Sequence, residues 1–123
     1  MSGDPYSALV RDLFADTAHA GDLPGGVTAD IDAQGVRVRL SATQDEGRIK
    51  ALRFRAWGCP HLIAACEHLC SRYEGRPRES LSEFRAADIM RDLSVPVEKT
   101  GRILVLEDAL RSLGRRFGGG SAP

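Results

Sequence analysis

ALRFRAWGCPHLIAACEHL, Ala51 to Leu69, changes its period half-way along. Up to Trp57 the apolar residues alternate. Leu52, Phe54 and Ala56 fall on one side and Arg53 and Arg55 on the other, the pattern of a half-buried strand. After Gly58 the period becomes helical, and His61 to Tyr73 reads as a helix closed by Gly75 in EGRP. A strand therefore runs almost directly into a helix, and Cys59 lies at the join.

Upstream, GVRVRLSA alternates in the same way, with Val36, Val38 and Leu40 opposite Arg37 and Arg39. Gln44-Asp45-Glu46-Gly47 reads as a hairpin turn between these two strands. VTADI, Val27 to Ile31, is a third and weaker strand. Adjacent strands joined by a short turn predict an antiparallel meander. HAGDLPGG, His19 to Gly26, breaks regularity. Before it, Asp4-Pro5 has the form of an N-cap and first helical residue, with Tyr6, Leu9, Val10, Leu13 and Phe14 on one helical face.

Downstream, Ser80-Leu81-Ser82-Glu83 has the capping-box pattern with a short helix behind it. Ala86 to Leu93 predicts another short helix, stopped near Pro96. Thr100 to Arg116 is the last helix, burying Ile103, Leu104, Leu106, Leu110 and Leu113. GGGSAP reads as a flexible tail. Strands followed by helices, rather than alternating with them, indicate an α+β fold: a small antiparallel three-stranded sheet covered by helices on one face. One domain is expected over residues 1–117, with a tail at 118–123.

Composition narrows the function classes. Seventeen basic and seventeen acidic residues cancel among 123, which gives no electrostatic case for nucleic acid or an anionic membrane. No apolar run reaches the roughly 20 residues of a membrane span. MSGDPYSALV lacks the basic and apolar blocks of a signal peptide, and three clustered cysteines do not suggest a disulfide framework, so a reducing cytoplasm is expected.

All three cysteines lie between Cys59 and Cys70. At a strand-to-helix junction, free N–H groups and the positive end of the helix dipole favour thiolate at Cys59. Gly58 allows a tight turn, Pro60 suits the first helical turn, and Arg55 would add positive charge if near. The bland alternative is a half-buried, inert thiol. Cys66 and Cys70, spaced i, i+4 near Leu62, Ile63 and Leu69, are expected in the core. A zinc site from Cys59, His61, Cys66 and Cys70 is disfavoured, because the spacing lacks two close ligand pairs. His68 is expected to face solvent, and His19 carries no readable signal.

Several of these stretches together resemble the U-type iron–sulfur cluster assembly scaffolds, IscU, SufU and the N-terminal domain of NifU. YSALVRDLF is similar to the family's first helix, and Ala20-Gly21-Asp22-Leu23 to its glycine-leucine turn. ALRFRAWGC is similar to its second cysteine motif, PHLIAACEHL to the following helix, and KTGRILVLEDAL to the last helix. The resemblance covers about Tyr6 to Leu113. It implies an IscU/SufE-like fold, a role in iron–sulfur cluster assembly and a cysteine desulfurase as partner. An apo-protein acceptor would be a further partner. The implied cofactor is a [2Fe–2S] cluster or iron, with zinc less favoured.

The ligand set departs from the family's. By spacing from Cys59, the first ligand cysteine falls on Ala33 and the following aspartate on Gly35. By spacing from Glu107-Asp108, the third falls on Arg102, with Gly101 in the place of a histidine. Asp16-Thr17-Ala18-His19 replaces the run after the first helix. Val95-Pro96-Val97-Glu98-Lys99 keeps one proline and the lysine of the segment that such scaffolds offer to a specialised Hsp70 chaperone. Only Cys59 remains to bind iron or cluster, or to accept sulfur as a persulfide in the manner of the SufE acceptors. The chain is then a sulfur acceptor rather than an enzyme. The third alternative is a non-catalytic interaction module for a desulfurase, with Arg37, Arg39, Arg53 and Arg55 either as its contact surface or as an ordinary solvated face.

Overall fold

The computed structural model describes residues 7–119. The sheet has the order β1 (Val27–Ala33), β2 (Val36–Asp45), β3 (Arg48–Trp57), with both pairs antiparallel. The expected meander is present, and its two turns share one device. Gln34-Gly35 and Glu46-Gly47 all have positive φ, the combination that matches a two-residue hairpin turn to the strands' twist. Lys50 is a bulge residue, since the register passes from Thr43↔Ala51 to Gln44↔Ile49. The extra residue lets Ile49 and Leu52, three apart, both enter the core.

Ala29, Val38, Leu40, Leu52 and Phe54 form the inner face of the sheet. α2 (Pro60–Tyr73) and α4 (Thr100–Gly119) cover it. α2 is buried on almost every side because α1 (Ala8–Ala15) packs on it from outside. Cys66 and Cys70 are core residues, as expected. Burial raises both thiols well above the ordinary range.

Several local expectations change. α1 starts at Ala8, where the Ser7 hydroxyl accepts from the Val10 N–H. Asp4, Pro5 and Tyr6 lie outside the described residues. Of the apolar stripe on α1 only Val10 is fully buried, while Leu9 and Phe14 are over 40% exposed. The capping-box residues Ser80 and Glu83 lie within a 3₁₀ helix, Arg78–Glu83, with no capping side chain. α3 (Ala86–Asp92) follows it, and its N-terminus is capped from α4 by Glu107, which accepts from the Ala86 N–H. Leu104 is exposed, because α4 turns that face outward. α4 also runs to Gly119, two residues into the stretch read as a tail. Residues 120–123 lie outside the described residues.

His19 organises the outer edge of β3. The segment His19–Gly21 pairs alongside it: Phe54 N–H donates to the His19 carbonyl at 3.0 Å, and Gly21 N–H to the Phe54 carbonyl at 2.8 Å. The His19 ring lies between two carboxylates of the α2 region, Glu67 at 2.5 Å and Glu74 at 3.2 Å. Glu67 is 3% exposed and also accepts the His19 N–H at 2.8 Å. Glu74 accepts from Leu52 N–H and Arg53. His68 is not simply solvent-facing: it is half-buried, 3.6 Å from Asp92.

Candidate functional site

Cys59 is the N-cap residue of α2, in extended conformation, with Pro60 opening the helix. Gly58 is required by the tightness of the join. A Cβ there would lie 2.7 Å from a Leu62 methyl carbon and 2.9 Å from one of Val36. The strand end, the helix start and the head of β2 therefore meet at one point, with Cys59 half-buried beside it.

The positions that the resemblance assigned to other ligands converge here. Ala33 closes β1 and Gly35 lies in the β1–β2 turn. Between them Gln34 reaches across to α4: a Cβ on Gly101 would be 3.1 Å from its Oε1. The side chain of the next residue, Arg102, is among the groups that lower the Cys59 pKa. The positions that the resemblance assigned to ligands carry two small residues, a glycine fitted against Gln34, and a guanidinium.

Burial is the largest single influence on the Cys59 thiol and pushes its pKa up. It is outweighed by the Leu62 N–H, the Arg102 side chain, the charge of Lys99 and the His61 N–H, so the net direction is down. The two amides act as helix-end dipoles, without closing a cap hydrogen bond. The expectation of a thiolate-favouring junction is met, with one change of actor. Arg55 is on the outer face, 2.5 Å from Asp22, and is not among the groups acting on Cys59. Arg102 and Lys99 supply the charge instead. The residue type at position 102 was the available signal; spacing alone could not say that it faces Cys59.

His61 is buried, and burial, followed by Lys99, lowers its pKa, which favours neutral imidazole. Among the described residues no group of three or more His, Cys, Asp or Glu side chains is arranged to hold a metal ion. The four outer-face arginines are engaged within the chain. Arg37 and Arg39 meet Asp30, Arg55 meets Asp22, and Arg53 meets Glu74.

The family pattern for the NifU-like N terminal domain matches residues 5–114. The chain belongs to this family. It is 25% identical over 115 residues to Iron sulfur cluster assembly protein 1, mitochondrial, of Debaryomyces hansenii, covering 87% of this chain and 64% of that protein. The protein of the same name from Kluyveromyces lactis is 23% identical over 115 residues, again covering 87% and 64%. The chain thus spans just under two thirds of the length of these relatives. Among solved structures, the NifU-like protein (N-terminal) from Brucella abortus superposes with a TM-score of 0.59 at 13% identity, covering 89% of this chain and 81% of that one. SufU of Fervidobacterium islandicum AW-1 gives 0.60 at 16% identity, covering 89% and 85%. These neighbours establish the NifU-like fold, three strands with helices on one face.

Proposed function

We propose that this NifU-like domain acts in iron–sulfur cluster assembly by accepting sulfur on Cys59 as a persulfide. The observation that carries this reading is a thiol whose pKa is lowered with Arg102, the residue that the resemblance aligns with a ligand cysteine, among the groups that lower it. A guanidinium cannot ligate iron, but it stabilises a thiolate and, equally, a persulfide anion. The donor would be the persulfide of a cysteine desulfurase. The Cys59 thiolate attacks its terminal sulfur, a new S–S bond forms, the old one breaks, and the donor's thiolate departs. Electrons balance without an external oxidant. The chain is then a carrier, not a catalyst, and an apo-protein or a second scaffold takes the sulfur onward. A reducing compartment such as the cytoplasm suits its free thiols.

A cluster or iron as cargo is the second reading, favoured by the family. Ala33, Gly35, Gly101 and Arg102 offer no thiolate, so one chain supplies a single sulfur ligand. A [2Fe–2S] cluster would need donors from a second chain. Anaerobic incubation with desulfurase, cysteine and iron separates the readings. A gain of about 32 Da, one sulfur atom, on wild type but not on Cys59→Ser supports the persulfide. Iron and sulfide retained by wild type and lost in Cys59→Ser supports cargo binding instead. Neither signal sinks both and leaves the interaction-module reading.

A further inference from the structure

The two edges of the sheet are treated differently. Along β3 the chain covers its own edge: Ile49 N–H donates to the Arg76 carbonyl, Leu52 N–H to Glu74, and Phe54 bonds the segment His19–Gly21 in both directions. The edge of β1 has no such cover. Its register fixes which groups it presents. Phe54 turns its N–H and C=O away from β2, so its cross-strand partner Leu40 turns its own toward β1, where they meet Ala29. By the alternation of the ladder, Thr28, Asp30 and Asp32 then point their N–H and C=O away from the sheet. None of these backbone groups has a hydrogen-bond partner among the described residues. Asp30 and Asp32 are exposed and Thr28 is half-buried, so the edge is open. An open edge is a template for another extended chain. Its aspartates disfavour a second copy of itself, since like charges set opposite each other destabilise a strand pair.

α4 runs beside this edge in the opposite direction. Gly101 lies against Gln34, just past the end of β1, whereas Ser112, Arg115 and Arg116 line a cleft of about 660 Å³ with Val27 and Thr28 at its start. Arg115 and Arg116 are exposed and make no hydrogen bond or ion pair among the described residues. Asp108, one turn before Ser112 on the same face of α4, is exposed and equally unpaired, as is Asp32. Asp30 is already engaged by Arg37 and Arg39. The edge therefore ends in two unengaged guanidinium groups and is acidic before them. Guanidinium forks match a carboxylate.

We propose that the open edge of β1 binds the free C-terminus of an extended peptide. Its backbone pairs with Thr28, Asp30 and Asp32, its carboxylate meets Arg115 and Arg116, and basic side chains upstream lie by Asp32 and Asp108. The direction follows from the arginines: a chain that ends at the start of β1 runs antiparallel to it. The probe is the hexapeptide acetyl-KVKVKV with a free carboxylate, titrated into the full chain and followed by amide spectra and hydrogen exchange. Its C-terminal amide is the control. The acid should bind saturably and slow exchange at Thr28, Asp30 and Asp32, while Ala29 and Ile31, already bonded to β2, change little. The amide should bind about tenfold more weakly, as the loss of a charge-assisted contact implies. Arg115→Gln with Arg116→Gln, both exposed, should weaken the acid by about the same factor and leave the amide unaffected. Thr28→Pro should abolish binding of both. A proline at an outward position gives up no ladder bond, so the sheet is retained, as the variant's own spectrum reports, while the edge loses a donor and is blocked by the ring. Three results overturn the proposal: no saturable binding of the acid, equal binding of acid and amide, or binding that leaves exchange at Thr28, Asp30 and Asp32 unchanged, which marks an anion site without strand addition.

Discussion

Arg102 is the residue on which the chemistry turns. Without it the thiol keeps the penalty of burial and loses one of the groups that offset it, so its pKa rises. The sign for reactivity follows. A lowered pKa means more thiolate at neutral pH than an ordinary cysteine has, and Arg102→Gln removes part of that surplus. Iodoacetamide alkylation of Cys59 at pH 7 should slow several-fold in the variant, and its rate profile should shift to higher pH. An unchanged profile would mean that the guanidinium does not act on the sulfur. The same linkage enters stability. Cys59's contribution is fully present above the ordinary thiol value of 9.0 and is lost as pH falls through the lowered folded value.

At the scale of elements, two joints hold the site's frame. Gly58 lets β3 enter α2 without touching Leu62 or Val36. Gly58→Ala forces atoms apart in a packed interior and should cost about 1–3 kcal/mol by denaturant titration. The second joint is the strap over the edge of β3. His19→Ala leaves the buried Glu67 carboxylate with fewer partners, a loss of about 1–3 kcal/mol. Hydrogen exchange should show it locally, as faster exchange of the Phe54 and Gly21 amides, since their bonds tie the strap to the strand. Equal acceleration across the whole sheet would instead indicate global loosening.

For the whole molecule, burial sorts the three thiols. Burial raises Cys66 and Cys70 and denies them reagent, whereas Cys59 is partly open and activated. A disulfide reagent should therefore titrate one thiol in the native protein and three after denaturation. Acid acts on the whole fold through the carboxylates. Glu74 feels burial first, which raises its pKa, but Leu52 N–H, Arg53 and His19 together lower it below 4.5. Asp30 is lowered by Arg37 above all. Both contributions are present above the ordinary carboxylate range and are lost as pH falls through the lowered values. The melting temperature should drop on acidification below that range, and by less in Glu74→Gln.

The α+β order, the alternation of the strands and the junction at Cys59 were legible in the sequence, because period and turn chemistry are properties of neighbouring residues. Glycine and proline marked the breaks for the same local reason. Leu104 was misplaced in the core, and Leu9 and Phe14 on the α1 stripe stay exposed, because an apolar stripe says that a helix can bury a face, not how much of that face a neighbour covers. Arg102 at Cys59, Gln34 over Gly101 and His19 between Glu67 and Glu74 join residues roughly 40 to 70 positions apart. Contacts of that separation leave no period in the chain. They exist only once the meander and the helices have closed on each other, so the tertiary structure alone decided that the one remaining thiol would face an arginine.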